Sequence, residues 1–248
     1  MPLPIAIRVD YLLHRQGLQA QQGVDNLRIF PYNEHTAQNW ITVPGELVRE
    51  QGNEWMQTRR WQQVPLLLGC VALLWGIECI NALLNHRLNS WGILPRTSAG
   101  LVGIPLSPFL HGSFTHLILN TVPLVTLGGL VAFYGTRIFL TVSLWIILQS
   151  GVALWLLGRS AYHVGASSVL FGYFGYLVAR GWYERSVTAL LVAFLTLGLY
   201  GSIVWGVLPT RSYISWEGHL FGLLAGVLVA RFATPQRRDT PLPNLTVR

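Results

Sequence analysis

A chain of 248 residues that is 52% hydrophobic and only 11% charged is too apolar for an ordinary soluble protein. Its formal net charge of +7 comes from arginine, because the sequence contains no lysine. Several of these arginines flank apolar segments, and they do not form the basic stripe of a nucleic-acid-binding protein. Charged residues crowd into roughly the first 60 and the last 17 residues, which is the pattern of a membrane domain with soluble ends.

The sequence divides into three regions. Residues 1–60 are predicted to be a cytoplasmic segment of unknown role, with short strands at 5–7 and 27–30 and a helix near 46–57. Residues 61–235 are the apolar region, and residues 236–248 are predicted to be a cytoplasmic tail. Asp10 follows the chain start too closely for a signal peptide, so we expect insertion to depend on the first spanning helix.

Six apolar runs of spanning length occur in the middle region, so the expected fold is an all-α polytopic membrane bundle. The runs lie near 64–84, 113–133, 137–158, 164–180, 186–207 and 217–233. Most connections between them are short. The exception is 85–112, a long proline-containing loop of the kind that often has a function of its own.

The arginine distribution predicts the orientation of the domain. If the N-terminus is cytoplasmic, the opposite side holds only Arg87, Arg96, Arg159 and Arg211, and the arginines beside the other run ends lie on the cytoplasmic side. Cytoplasmic loops of membrane proteins carry the excess of positive residues. We therefore expect both termini in the cytoplasm.

Four polar side chains recur at one depth of the predicted membrane domain. His116 and Asn120 lie in the first turns of the second run, Ser167 in the first turn of the fourth and His219 in the first turn of the sixth. Polar groups inside a bilayer are costly and are functional candidates by default. Each also has an ordinary explanation, such as an Asn that packs helices or a Ser bonded to the preceding turn, but four ordinary residues need not share one depth.

Small residues predict that the fourth and sixth runs pack closely. The sixth run has Gly218, Gly222 and Gly226 at four-residue spacing, and the fourth has Ser168, Gly172, Gly175 and Ala179 on one face. Such spacing lets two helix backbones approach each other. This crossing would bring Ser167 beside His219.

A serine beside a histidine suits nucleophilic catalysis. The hydroxyl attacks a carbonyl carbon when a nearby base takes its proton, and neutral imidazole suits that role near pH 7. The negative intermediate needs hydrogen-bond donors, which the Asn120 amide, the His116 ring and the Ser167 backbone N–H can supply. Glu217 points to a different helix face from His219, so we predict a Ser–His dyad without a carboxylate.

A metal centre competes for the same histidines but fits poorly. His111 and His116 are five residues apart and do not share a helix face, and no carboxylate accompanies them. Cys70 and Cys79 have no metal-binding spacing. We therefore predict no metal site. Glu78, inside the first run, has no role that the sequence explains.

Three short motifs occur in order: HGSFTHLILN at 111–120 at the start of the second run, GASS at 165–168 in the fourth run and GHLFGLLAG at 218–226 in the sixth. They resemble motifs of rhomboid-family intramembrane serine proteases, GASS their GxSx nucleophile motif and GHLFGLLAG their HxxGxxxG pattern. Each motif alone is weak. All three, in their expected spans of a six-span core, make a specific resemblance over about 61–235.

The resemblance implies a serine endopeptidase that cleaves transmembrane or juxtamembrane segments of other membrane proteins without a cofactor. The implied site consists of the nucleophile Ser167, the base His219, the oxyanion residues His116 and Asn120, and the supporting residues His111, Gly165 and Phe171. The implied partners are transmembrane substrates and lipid, not nucleic acid. The implied location is the bacterial inner membrane, with the loop 85–112 partly submerged and substrates approaching at spans two and five.

The sequence departs from the family pattern in three places. Ser168 stands where glycine is usual, Phe171 where tyrosine is common, and the Trp-Arg pair common in the first loop is absent near 102–105, which puts the anchoring of that loop in question. An inactive rhomboid-like protein that binds transmembrane helices is the alternative, although such relatives typically lack the serine or the histidine. A transporter would carry polar residues through the whole membrane depth. The substrate, the cleavage site and the oligomeric state are not predicted.

Overall fold

The computed structural model describes residues 19–22, 26–30, 41–44, 63–209 and 214–233. The chain divides into two compact units, Met1–Gln62 and Gln63–Arg248. The predicted strand at 5–7 and the predicted helix near 46–57 lie outside the described residues.

The first unit contains a three-stranded antiparallel sheet in the order β1–β2–β3. The strands are β1 (Gln19–Gln22), β2 (Asn26–Phe30) and β3 (Ile41–Pro44). Residues 27–30, predicted as a strand, form most of β2, and Leu27 pairs with Gln22 on one side and Val43 on the other. The β-branched run of β3 favours an extended backbone, although the sequence analysis did not predict this strand.

The described residues of the second unit are mainly helical. Its α-helices are α1 (Gln63–Leu83), α2 (Ser98–Leu106), α3 (Phe114–Phe133), α4 (Thr136–Leu157), α5 (Ser167–Glu184), α6 (Val187–Tyr200) and α7 (Trp216–Ala233). Short 3₁₀ segments occupy Arg87–Trp91, Ser107–Phe109 and Gly201–Val207.

Four of these segments are long and apolar enough to cross a membrane: Gln63–Leu83, Phe114–Phe133, Thr136–Leu157 and Val187–Val207. They present large apolar side chains to the outside, and Leu119 and Phe194 are more than two-thirds exposed. The predicted runs near 164–180 and 217–233 correspond to α5 and α7, which are 18 residues long each. Helix α5 lies at the centre of the bundle, since most of its residues between Val169 and Leu177 are buried.

Helices α5 and α7 cross with their backbones in contact. A Cβ atom added at Gly222 would collide with the carbonyl oxygen of Ser168, and one added at Gly226 would collide with the carbonyl oxygen of Gly172. A Cβ at Gly175 would lie 2.5 Å from the carbonyl oxygen of Leu223. Glycine is required at these positions because any side chain would separate the helices.

Gly218 does not take part in this crossing, contrary to the interpretation of its spacing. A Cβ atom at Gly218 would meet the Ser215 hydroxyl at 2.8 Å and a Leu154 methyl at 3.5 Å. It therefore packs against its own N-terminal turn and α4. Spacing alone placed it on the crossing face, but α7 begins at Trp216, so Gly218 lies in the first turn of the helix.

The long connection 85–112 is more ordered than its proline content suggested. Thr97 caps α2, because its hydroxyl accepts a hydrogen bond from Gly100 N at 3.1 Å. Arg96 Nη1 donates to the carbonyl of Gly158 at 2.6 Å, and Trp155 Nε1 donates to the carbonyl of Thr97 at 2.8 Å. An arginine and a tryptophan from outside 102–105 thus anchor this loop to the end of α4.

Candidate active site

The N-terminal ends of α3, α5 and α7 surround a cavity of about 740 Å³. Its wall includes Ser167, His219, His116, Asn120 and Phe171. The four polar side chains that the sequence placed at one depth therefore face a single space. A nucleophile, a base and two hydrogen-bond donors can act on the same carbonyl group only when they share such a space.

Ser167 is the first residue of α5, and Ala166 is its N-cap. The N–H groups of the first residues of a helix have no partner within the helix, and they point toward its N-terminal end. The preceding Gly165 has φ +117°, and its N–H donates to the carbonyl of Ser107 at 2.9 Å. A left-handed glycine fixed by a loop carbonyl thus sets where the chain enters α5 and where Ser167 begins it.

His219 is held from two directions. Its Nδ1 lies 2.9 Å from the carbonyl oxygen of Gly206, in the 3₁₀ segment that follows α6. A carbonyl oxygen only accepts, so Nδ1 carries the proton and the neutral ring keeps its lone pair on Nε2. The Phe171 ring stacks on the imidazole with centroids 4.1 Å apart and planes inclined by 9°. The described residues place a backbone carbonyl, not a carboxylate, at Nδ1.

His116 and Asn120 occupy successive turns at the start of α3. The Ser113 hydroxyl caps this helix by accepting from His116 N at 3.2 Å. Asn120 is 5% exposed, and its Nδ2 has no hydrogen-bond partner among the described residues. A Cβ at Gly165 would lie 2.6 Å from Cε1 of His116 and 3.6 Å from Nδ2 of Asn120, so both side chains approach the backbone just before Ser167.

His111 is fully buried behind this group, and the described cavity wall does not include it. Its ring meets the His116 ring edge-on with centroids 5.1 Å apart. Burial, and secondarily the charge of nearby His116, lowers the pKa of His111 to about 4 against a smaller opposing effect of the Phe109 backbone. His111 is therefore neutral at pH 7 and packs against His116.

Glu78, which the sequence left unexplained, belongs to a buried polar cluster at the end of α1. Its Oε2 lies 3.4 Å from Nδ2 of Asn81, and that nitrogen lies 2.9 Å from Oδ1 of Asn89 and 3.2 Å from the carbonyl oxygen of His111. Asn81 Oδ1 accepts from Leu88 N at 3.1 Å. The cluster fixes the end of α1 to the chain just before α3.

The sequence analysis did not predict four residues as part of the site, although they line the cavity: Gly206, Arg159, His163 and Ser215. His163 Nδ1 lies 2.6 Å from the Ser215 hydroxyl, and Arg159 Nη2 donates to the carbonyl of Ile214 at 2.6 Å. Two of them have a signal in the sequence, since His163 and Ser215 each precede a candidate catalytic residue by four. Among the described residues, no three His, Cys, Asp or Glu side chains gather as metal ligands would.

Comparison with known proteins agrees with the motifs. Residues 99–236, more than half of the chain, match the Rhomboid domain. The chain belongs to the rhomboid family. With its long apolar helices, this rhomboid-family protein is an integral membrane protein.

The rhomboid chain is also similar to uncharacterized mycobacterial proteins. It is 34% identical over 192 residues to one from Mycobacterium bovis and to one from Mycobacterium tuberculosis, which covers 73% of this chain and 80% of each relative. A protein of Mycobacterium leprae is 34% identical over 189 residues, which covers 70% of this chain and 72% of the relative. The relatives in this comparison are thus bacterial.

Proposed function

We propose that this rhomboid-family protein is an intramembrane serine endopeptidase that works through a Ser167–His219 dyad. The observation that carries the proposal is the shared cavity in which Ser167 lies with a His219 ring whose Nδ1 faces the Gly206 carbonyl. That contact leaves Nε2 as the proton acceptor, which is what a general base requires. The stacked Phe171 ring limits rotation of the imidazole.

The reaction is acyl transfer in two steps. The Ser167 oxygen attacks the scissile carbonyl carbon while Nε2 of His219 takes the hydroxyl proton, and the same nitrogen then gives that proton to the leaving amine. The N-terminal half of the substrate remains as an ester on Ser167. Water attacks this ester while Nε2 of His219 takes a proton from it. His219 then returns that proton to the Ser167 oxygen as the acyl–oxygen bond breaks, which releases the substrate carboxylate and restores the free hydroxyl.

The oxyanion of each tetrahedral intermediate is assigned to donors beside Gly165. Among the residues that the structure describes, Nδ2 of buried Asn120 has no partner, and this supports the role. A buried donor without a partner costs about 1–3 kcal/mol and is suited to a charge that develops only during reaction. His116 lies on the same side of Gly165 and can add a second donor. The Ser167 backbone N–H, free at the helix start, can add a third.

The substrates in this proposal are membrane proteins with a transmembrane or juxtamembrane segment that can extend into the cavity. We place six spans in the membrane by adding α5 and α7 to the four long apolar segments, with both termini on the cytoplasmic side of a bacterial inner membrane. Substrates would approach between α3 and α6, where a hydrogen bond between the hydroxyls of Thr126 and Tyr200 joins the two helices.

Cleavage of a single-span model substrate by the detergent-solubilised full chain tests the proposal. We expect Ser167→Ala and His219→Ala each to lower the rate about 10³-fold or more, because a nucleophile and its base act as a unit. Ser168→Ala is the matched control, since it makes the same serine-to-alanine change at the next residue of the same helix. It should cleave at close to the wild-type rate.

A second measurement separates an enzyme from a binding protein. A fluorophosphonate probe, which esterifies an activated serine, should label wild type and Ser168→Ala but not Ser167→Ala or His219→Ala. Equal cleavage by wild type and Ser167→Ala would remove the protease assignment. Binding of the substrate helix by wild type with neither cleavage nor labelling would favour the inactive rhomboid-like alternative.

A further inference from the structure

A hydrogen bond joins the two segments that lead to the proposed catalytic residues. His163 precedes Ser167 by four residues, and Ser215 precedes His219 by four. The His163 ring nitrogen Nδ1 lies 2.6 Å from the hydroxyl oxygen of Ser215. The bond therefore lies at the cavity wall and joins the chain four residues before each reacting side chain.

His163 is a rigid partner in this bond. Its side chain is buried, at 3% exposure for the residue, and its Nε2 lies 3.1 Å from the carbonyl oxygen of Arg159. Because that carbonyl only accepts, Nε2 carries the proton and Nδ1 accepts from the Ser215 hydroxyl. The backbone of His163 is held as well, since its N–H and carbonyl pair with the carbonyl and N–H of Ile93 at 2.9 and 3.0 Å.

Burial favours the neutral form of the His163 ring. Burial lowers the pKa of His163, and the positive charge of Arg159 adds to this effect. The Arg159 carbonyl and the carboxylate of Glu217 oppose it without reversing its direction. The ring is therefore neutral at pH 7, which matches an Nδ1 atom that accepts a hydrogen bond from the Ser215 hydroxyl.

Ser215 is tied to His219 through the first turn of α7. The carbonyl oxygen of Ser215 accepts a hydrogen bond from His219 N at 3.2 Å, so displacement of Ser215 displaces the turn that carries the histidine. Gly218 completes this turn, because a Cβ there would lie 2.8 Å from the Ser215 hydroxyl oxygen. The small residue leaves the hydroxyl free to reach His163.

Arg159 makes a second set of contacts between the same two segments. Arg159 Nη2 donates to the carbonyl oxygen of Ile214 at 2.6 Å, and Arg159 Nε lies 3.8 Å from Oε1 of Glu217. Deeper in the bundle, the glycine contacts of Gly222 and Gly226 hold α7 against α5. Hydrogen bonds thus fix the cavity end of this helix pair, and backbone packing fixes the rest.

We propose that His163 and Ser215 are a positioning pair that holds the base-bearing turn of α7 at a fixed distance from the nucleophile at the start of α5. The inference rests on the proposed Ser167–His219 dyad. Neither residue touches the reacting atoms. Removal of either side chain breaks this bond and loosens the two segments at the cavity, although the Arg159 contacts and the glycine crossing remain.

The test compares His163→Ala, Ser215→Ala and the double variant with wild type in the same cleavage assay. We expect each single variant to lower kcat about 10- to 100-fold with KM within about twofold, because small displacements of a reacting pair have effects of this size. The kcat of the double variant should be no lower than that of the less active single variant, since both changes break the same hydrogen bond. Ser215→Thr, which keeps the hydroxyl, should restore most of kcat.

Ser160→Ala is the matched control. Ser160 lies in the same loop, is exposed, and accepts from Arg96, which keeps its bond to Gly158 without it. This variant should retain wild-type kcat. If Ser215→Ala also retains wild-type kcat below its melting temperature, or if the two single losses multiply in the double variant, the positioning role is wrong.

A readout that does not require proteolysis separates this inference from the proposed function. In full-length protein labelled with ¹⁵N-histidine, the ring signals of His219 should shift in Ser215→Ala and in His163→Ala but not in Ser160→Ala. A wild-type chain that cleaves nothing would contradict the protease assignment, and these shifts would still report whether the pair controls His219. Unchanged His219 signals in both variants would overturn the pair.

Discussion

At the scale of single residues, the candidate site depends on the backbone conformation of Gly165 and on its close contact with His116. Its φ of +117° lies in the region that favours glycine, and a Cβ there would lie 2.6 Å from Cε1 and 2.8 Å from Nε2 of His116. Two separate constraints, backbone conformation and close contact, therefore exclude a side chain. The motif position was visible in the sequence, but the contact with His116 was not, because it joins α3 to the loop before α5.

Gly165→Ala should impair catalysis more than binding. The added methyl either rotates His116 away or shifts the backbone that leads into Ser167, so we expect kcat to fall about 10- to 100-fold with a smaller change in KM. Gly198→Ala is the control, since a Cβ at Gly198 in α6 meets nothing within 4 Å. Steady-state cleavage kinetics check both, and full activity of Gly165→Ala would show that the close approach is not needed.

At the scale of secondary-structure elements, the crossing of α5 and α7 positions the two helices that bear Ser167 and His219. The spacing of small residues predicted correctly that the two helices meet, because only glycine and other small residues let helix backbones come into contact. Spacing could not show which glycines make the contact. Gly222 and Gly226 face carbonyl oxygens of α5, whereas Gly218 packs within its own first turn.

Gly222→Ala should destabilise the folded protein, because its methyl would collide with a backbone carbonyl oxygen that no rotamer change can move. Overpacking of this kind costs about 1–3 kcal/mol, so the melting temperature in detergent should drop by several degrees. Gly76→Ala in α1 is the matched control, since its Cβ meets nothing within 4 Å and alanine favours a helix. A Gly222→Ala protein that melts like wild type would mean that the helices are not in backbone contact.

At the scale of the whole molecule, composition predicted a membrane protein, and the apolar runs matched helices to within a few residues. One run begins later than predicted, and another changes its helix type before its end. The fourth run was predicted to begin at 164, but the positive φ of Gly165 delays α5 to Ser167, and the fifth run tightens into a 3₁₀ segment after Tyr200. The bonds of His163, Ser215 and Gly206 join loops distant in sequence, so no local pattern predicted them.

The arginine distribution gives a prediction for the whole chain. We expect green fluorescent protein fused before residue 1 or after residue 248 to fluoresce in the bacterial cytoplasm, because arginine-rich loops stay on that side. Alkaline phosphatase, which is active only outside the cytoplasm, should be active when fused after residue 161 and inactive when fused after residue 185. The reverse pattern at these two sites would invert the orientation and place the cavity toward the cytoplasm.

The contact between His219 and the carbonyl of Gly206 has a consequence for mutagenesis. The atom that selects the imidazole tautomer belongs to the peptide backbone, so exchanging side chains one by one cannot delete it. A larger residue at 206 would act differently, since its Cβ would lie 2.7 Å from the Phe171 ring and disturb the stack. We therefore expect side-chain mutagenesis to identify no carboxylate that orients His219. Replacing the amide that follows Gly206 with an ester would reveal the orienting group, because an ester carbonyl is a weaker hydrogen-bond acceptor.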